Sequence, residues 1–233
     1  MKNREDWANK VISRWDKSFK HRWTIFNNLL SDLQNPQSIS LDIGCGEMSE
    51  LSGDLDFKAK IGTDILAPKD KGIFDFPFLQ SDIYSLPFKN QSIEIVLLRF
   101  VVEHVEFPEK AFEEICRVLK SDGHILIMTS NIISPIIFIP KIIPYKFRKK
   151  IILKLFGVDD NDIFPTYHRL NSLKAIKKLN HLFHIEQWCF VQDINWASKF
   201  IFFSFLIWHL FTKWINLKFL RSNFIVLLQK SNS

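Results

Sequence analysis

Cysteine is scarce in this chain: only Cys45, Cys116 and Cys189 occur, odd in number and far apart. With no C-x-x-C pair among them, neither a zinc ribbon nor a disulfide framework is expected, and no metal is assigned. Glycine and proline number 7 and 9, too few for a low-complexity or fibrous chain. The opening MKNREDWANK is charged and lacks the apolar centre of a secretory signal, so the sequence reads as cytoplasmic. Residues 200–212 form a run of 13 without a formal charge, bounded by Lys199 and Lys213. That is short of the roughly 20 residues that a spanning helix needs, and a buried or interfacial helix is expected instead. No Asn-Pro-Pro-Tyr-type base-amine motif is present and the basic residues interleave with aliphatics, so nucleic acid is not an expected partner.

What is present is a 233-residue chain with 47% hydrophobic residues, enough for one ordered domain or one domain with an appendage. The net charge of +6 conceals an asymmetry: residues 1–135 hold 16 basic and 20 acidic side chains, residues 136–233 hold 15 and 5. The basic half also carries the large apolar runs. Basic plus apolar suggests an anionic membrane face, against the plainer alternative of a solvated basic surface.

Apolar residues recur at helical spacing from Trp7 through Val11, Trp15, Phe19, Trp23, Phe26 and Leu30 to Leu33, predicting one amphipathic helix or two over 5–34. Short apolar runs at 39–43, 60–64, 78–81, 93–98 and 124–130 read as strands. A helix led by Pro108, with Ala111, Phe112, Ile115, Val118 and Leu119 on one face, lies between the last two. Such alternation implies a parallel sheet covered on both faces. Prolines at 135, 140 and 144 forbid one long helix in the stretch that follows, and 144–156 mixes lysines and arginine with apolar residues. Asn171 or Ser172 caps a further helix, and 184–191 and 223–230 read as two last strands. The expected organisation is an N-terminal helical segment over 1–36 and a main domain over 37–233. That domain would carry a basic apolar insertion near 132–170 and an apolar helix near 198–217.

Chemistry concentrates at strand ends. Leu41-Asp42-Ile43-Gly44-Cys45-Gly46 follows the first strand, where open α/β sheets bind ligands, and its glycines let the backbone approach a ligand closely. The second strand ends at Gly62-Thr63-Asp64 and the third at Ser81-Asp82-Ile83, placing carboxylates where ribose hydroxyls and an adenine amine could be held. Each acid alone could equally be a helix cap or turn former; the ordered series is what speaks for a nucleoside site.

This series resembles the class I S-adenosylmethionine-dependent methyltransferases, the small-molecule branch in particular. LDIGCG is similar to their first motif, GTD to the tip of the second strand and SDIYSLPF to the third. SIEIVLLRFVVEHV with PEKAFEEICRVLKSDGHILIMTSN is similar to the fourth-strand, helix and fifth-strand block. The resemblance implies an α/β, Rossmann-like, seven-stranded and mostly parallel sheet in the order 3-2-1-4-5-7-6, with helices on both faces. It implies S-adenosyl-L-methionine as cofactor, with Asp42, Gly44 and Gly46 on its methionine portion, Asp64 on the ribose, Asp82 and Ile83 on the adenine, and Arg99 and Phe100 flanking it. Three departures stand out: Glu47-Met48-Ser49 replaces a further glycine, only 17 residues separate Gly46 from Asp64, so the first helix must be short, and Ser121-Asp122-Gly123 fills the usual Pro-Gly-Gly turn. A nicotinamide site would want a third glycine where Ser49 stands, and Asp42 would repel its pyrophosphate.

A hydroxyl acceptor needs a base, for which His104, His168, Glu103 and Tyr167 are candidates, with Glu103-His104 also able simply to brace the loop. Pro165-Thr166-Tyr167-His168-Arg169 is a chemically rich loop beside the acidic turn 159–162, and Asn131 could hydrogen-bond an acceptor. The expected reaction is O-methylation of a small molecule or lipid-linked glycan at the inner membrane surface. Alternatives are a quinone or lipid acceptor, or a binding module that keeps the fold without catalysis. The helix near 198–217 would face a membrane, face a second subunit in a homodimer, or pack back on the sheet.

Overall fold

The computed structural model describes residues 2–70, 72–142, 165–195 and 198–231. The basic run 144–156 and the acidic turn 159–162 lie outside the described residues. The helical pattern of 5–34 resolves into two helices, α1 (Lys2–Trp15) and α2 (Arg22–Asp32). Strand β1 (Asn35–Ile43) then starts four residues earlier than its apolar run, admitting Pro36 in the irregular stretch between the pairings of Asn35 and Ile39 with β2. β2 (Phe57–Asp64), β3 (Phe78–Gln80), β4 (Ile93–Arg99), α3 (Pro108–Val118), β5 (Leu119–Ser130), α4 (Pro135–Ile142), α5 (Leu173–Ile176), β6 (Phe183–Val191), α6 (Lys199–Trp214) and β7 (Asn223–Lys230) complete the order. The seven strands form one sheet, ordered β3-β2-β1-β4-β5-β7-β6.

The sheet centre explains itself from composition. Val96, Leu97 and Leu98 on β4 and Ile125 to Met128 on β5 are fully buried, as strands covered on both faces must be. β1 pairs in parallel with β2 and with β4, and β4 with β5. In that register Ile43 lies opposite both Thr63 and Leu98, so the tips of β1, β2 and β4 end level and their loops share one edge.

Three local expectations change. The short helix foreseen after β1 does not form; residues 44–56 run as turns. Ser121-Asp122-Gly123 lies inside β5 as an irregularity in its register, with Asp122 at φ 61°. Ser172, not Asn171, caps α5, its Oγ accepting from the Ala175 amide, and that helix lasts four residues before a 3₁₀ turn.

The chain divides into two compact units. One holds 26–130, 166–189 and 225–233, and with them most of the sheet. The other holds 1–25, 131–165 and 190–224; its described core is Ala8, Ile12, Ile194, Phe202 and Leu206, with the Trp7 ring 4.8 Å from Phe202. α6 buries Phe202, Leu206, His209 and Thr212, whereas Phe200, Phe203, Ile207, Phe211 and Trp214 form an exposed stripe. No described helix is long and apolar enough to cross a membrane.

Asp16 ties this second unit together. Its buried carboxylate accepts from Ser18 N at 2.9 Å, Ser18 Oγ at 2.7 Å, His209 Nε2 at 2.8 Å and Lys213 Nζ at 2.7 Å. Burial pushes the group up, but together the donors hold it well below the usual carboxylate range. Asp16→Ala should therefore cost about 3 kcal/mol at neutral pH, read as a lower urea midpoint. Because the folded pKa is depressed, that contribution is complete above about pH 4 and fades as pH falls toward the folded value, so the two midpoints should converge in acid.

Candidate active site

The turn after β1 is shaped by two glycines in left-handed backbone, Gly44 at φ 71° and Gly46 at φ 58°. They differ in purpose. A Cβ on Gly44 would stand 2.3 Å from Val101 Cγ2, so this glycine lets the β4 loop pack against the turn. At Gly46 a Cβ would meet nothing within 4 Å, leaving open space beside an exposed stretch of backbone. Thr63 O accepts from Gly44 N at 2.7 Å and from Cys45 N at 3.1 Å, fastening the turn to β2.

Asp42, on the last turn-ward residues of β1, is fully buried. Its Oδ2 accepts from Ser49 Oγ at 2.5 Å and Arg99 Nη2 at 3.0 Å, and Arg99 also donates to the Met48 carbonyl and reaches Glu50 Oε1 at 3.5 Å. Asp42 Oδ1 has no hydrogen-bond partner among the described residues. Burial pushes the Asp42 carboxyl above its ordinary range, against the pull of Arg99 and Ser49. Beside it, burial and the charges of Asp42 and Asp64 push the Cys45 thiol up to about 12. Asp64 is half-buried at the β2 tip, its Oδ2 accepting from Gly46 N at 2.9 Å and its Oδ1 from Leu66 N at 3.0 Å.

Asp82 and Ile83 follow β3, the acid exposed and the isoleucine half-buried. Asp82 Oδ1 accepts from Tyr84 N at 3.0 Å, and the Tyr84 hydroxyl accepts from the Glu106 and Phe107 amides at 3.0 and 3.1 Å. Arg117 on α3, itself held by Glu114 at 2.7 Å, donates to Leu86 O and Phe88 O at 3.0 and 2.9 Å. The loop carrying Asp82 is thus stapled to α3. Phe100 closes β4 at φ 56°, a strained backbone for a bulky side chain, and its amide donates to Met128 O at 2.8 Å.

A second cluster gathers beyond β4 and β5. Glu103 is buried, and its carbonyl accepts from the Tyr167 and His168 amides at 2.8 and 3.0 Å. Its Oε2 accepts from Thr129 Oγ1 at 2.7 Å, which in turn accepts from Asn171 Nδ2 at 2.7 Å. The structure thereby brings Glu103 together with the backbone of Tyr167 and His168, while the His104 amide turns back to the Val101 carbonyl at 2.9 Å. Glu106, whose carboxylate accepts from the Tyr167 phenol, pushes that phenol above its usual range. Asn131 is not part of this cluster. Its amide donates to Phe219 O and Arg221 O at 2.7 and 2.8 Å and its Oδ1 accepts from Ile133 N, so the side chain serves as a backbone tie and not as an acceptor-binding group. Asn171 and Thr129 are the buried polar groups that the sequence reading passed over. The signal was there for Asn171, since Ser172 already suffices as the cap.

The open space at Gly46, the spare oxygen of Asp42 and the acids at two further strand tips suit a ligand with a cationic amine, a diol and a flat heterocycle. Residues 41–127 match the model of a methyltransferase domain family. By that match the stretch is a methyltransferase domain. Uncharacterized methyltransferase YcgJ of Bacillus subtilis is 37% identical over 60 residues, 26% of this chain and 24% of that protein. The ubiquinone/menaquinone biosynthesis C-methyltransferase UbiE of Idiomarina loihiensis is 32% identical over 74 residues, 31% of this chain and 29% of that protein. A solved S-adenosylmethionine-dependent methyltransferase from Methanosarcina mazei shares the fold at a TM-score of 0.54 and 15% identity, covering 88% of this chain and 98% of its own. The matched stretches span between 24% and 59% of the curated relatives' lengths.

Gly44→Ala should destabilise the domain more than Gly46→Ala. Both incur about 1–2 kcal/mol for left-handed backbone, but only the first must also displace Val101. Paired urea titrations measure the difference.

Proposed function

We propose that this chain transfers a methyl group from S-adenosylmethionine to an oxygen of a small-molecule or lipid-linked glycan acceptor at a membrane surface. The observation that carries the transferase reading is the unfilled cradle at Gly46, flanked in sequence and structure by Asp42 and Asp64. When bound, S-adenosylmethionine supplies an electrophilic methyl group on a sulfonium leaving group. Asp42 Oδ1 takes the cationic amine, and Gly44 and Gly46 offer bare backbone to the methionine portion. Asp64 has lone pairs beyond its two backbone donors to take the ribose hydroxyls, and Asp82 and Ile83 take the adenine. Arg99 and Phe100 flank the ligand, the guanidinium charge balanced by Asp42 and Glu50.

For an in-line displacement the protein mainly aligns the partners and excludes water, which contributes about 7–11 kcal/mol to barrier reduction. His168 or His104 removes the acceptor proton, a step that adds roughly 10²–10⁴-fold. Tyr167, whose phenol donates its one proton to Glu106, offers its oxygen lone pair to a hydroxyl of the acceptor and so orients it. Placement at a membrane is supported by the exposed stripe of α6, with Lys199, Lys213 and Lys218 beside it: apolar area and cationic charge together favour anionic bilayers. A second reading, carbon methylation of a quinone, is favoured by the match to UbiE. The position of a labelled methyl carbon in the product, on oxygen or on ring carbon, separates the two.

Calorimetry should detect S-adenosylmethionine binding, weakened about tenfold or more by Asp64→Ala and less by Asp82→Ala, whose carboxylate is exposed. Equal affinity in an Asp64→Ala protein of unchanged melting temperature would remove the ribose assignment. Vesicles containing phosphatidylglycerol should float the protein at low salt, and Phe200→Ser with Trp214→Ser should leave it at the bottom of the gradient. A stripe that instead pairs two copies would give a concentration-dependent dimer and no flotation.

A further inference from the structure

Within the unit of 26–130, 166–189 and 225–233, the loop after β3, the entry to α3 and the loop before α5 meet in a surface cluster beside the candidate base His168. The Tyr84 hydroxyl accepts from the Glu106 and Phe107 amides at 3.0 and 3.1 Å, and the Tyr84 and Phe107 rings lie 6.2 Å apart. Glu106 in turn accepts from the Tyr167 phenol. Two rings thus adjoin one carboxylate, Phe107 at 47% and Tyr167 at 41% exposure. Their backbones are fixed, the first by Tyr84 and the second by the Glu103 carbonyl, which takes the Tyr167 amide at 2.8 Å. Exposed rings on firmly held backbone bind a ligand without the cost of ordering them first.

Each ring also carries a cation. Lys110 Nζ lies 5.3 Å from the Phe107 ring centroid, and the Arg169 guanidinium 6.0 Å from that of Tyr167. Both cations are exposed, and neither forms an ion pair among the described residues. A ring face is a weak partner in water and leaves their N–H donors open to an anion. Glu106 keeps lone pairs beyond the one that Tyr167 takes, and the Tyr167 oxygen keeps its own, so both call for hydroxyl donors. Within the cluster, two cations against one carboxylate leave an excess of one positive charge. A carboxylate on the ligand neutralises that excess, whereas a phosphate dianion exceeds it. Glu106 repels an acid group placed next to itself, which fixes the orientation: hydroxyls toward Glu106, acid toward the cations.

We infer that the acceptor is a hydroxylated ring carrying a carboxylate, its ring against Phe107 and Tyr167, its acid drawn by Lys110 and Arg169, and its hydroxyls on Glu106 and the Tyr167 oxygen. The guanidinium fork matches a carboxylate with two parallel hydrogen bonds, and aromatic faces take either an aromatic ring or the apolar face of a sugar. The inference rests on the methyl-transfer reading and narrows its acceptor. For transfer to oxygen it requires an acidic sugar, and for transfer to ring carbon a hydroxylated aromatic acid.

The test is calorimetric titration of the whole protein with S-adenosylhomocysteine, followed at saturation by D-glucuronate, D-glucose, 4-hydroxybenzoate and phenol at low ionic strength. One acid should bind about tenfold or more tightly than its neutral counterpart, and Lys110→Gln/Arg169→Gln should abolish that preference. Both positions are exposed, so the double variant should keep the melting temperature and the S-adenosylhomocysteine affinity of the parent. Preference for glucuronate over glucose would assign the acceptor to the sugars, and preference for 4-hydroxybenzoate over phenol to the aromatic acids. Equal affinity for acid and neutral ring, no binding of either acid, or a preference that the double variant retains overturns the inference. With S-adenosylhomocysteine still bound, such a result leaves the methyl-transfer reading intact. Acid binding in a protein that takes no S-adenosylhomocysteine would instead remove that reading and, with it, the name of acceptor.

Discussion

The buried pair of Asp42 and Arg99 is the constraint on which the cofactor edge depends. Side-chain exposures of 0% and 7% leave almost no water to stabilise either charge. Such a pair depends on the further donors and acceptors it gains, and here Ser49, Glu50 and the Met48 carbonyl supply three, leaving Asp42 Oδ1 and Arg99 Nε without a partner among the described residues. Each of those partners lies in the turn after β1. The ion pair therefore shapes the loop by recruiting it: the segment that forms no helix is held at Met48, Ser49 and Glu50 by Asp42 on β1 and Arg99 on β4. Removal of either partner would strand a charge and free the loop together.

The same device recurs wherever the site leaves regular structure. Arg117 and Glu114 hold the loop after β3, and Tyr84 fastens it again from within. Glu103, Thr129 and Asn171 hold the segment of Tyr167 and His168 against β4 and β5. In the first case side chains on α3 satisfy loop backbone groups that no helix or strand pairs; in the second the Glu103 carbonyl takes the two amides while its carboxylate anchors to Thr129. The rigid sheet sets where the loops begin; these polar ties set where they go.

That distinction also explains how much was legible in the sequence. The strands at the sheet centre announce themselves, since Ile95 to Leu98 and Ile125 to Met128 have no polar face to hide, and the sheet order followed from the resemblance carried by the strand-end motifs. The glycines and acids of those motifs stand at the tips where the pattern put them. What the pattern could not convey were long-range ties. Nothing near Asn131 announces that its amide is spent on carbonyls of Phe219 and Arg221, 88 and 90 residues away. Nor does the spacing from Gly46 to Asp64 reveal that turns, not a shortened helix, fill the gap. Asn171 was read for its local preference as a cap, while its tertiary partners on β5 decide its use.

Cys45 sits in the middle of the glycine turn, beside the place proposed for an alkylating cofactor. A thiolate there would be the most reactive nucleophile within reach and would invite self-modification. Burial and the neighbouring carboxylates push its pKa up to about 12, so the sulfur stays protonated at neutral pH and is chemically quiet. Burial first, and after it the two carboxylates that shape the pocket, passivates the thiol, and a methylating reagent held against this backbone would not find its first victim in the domain itself.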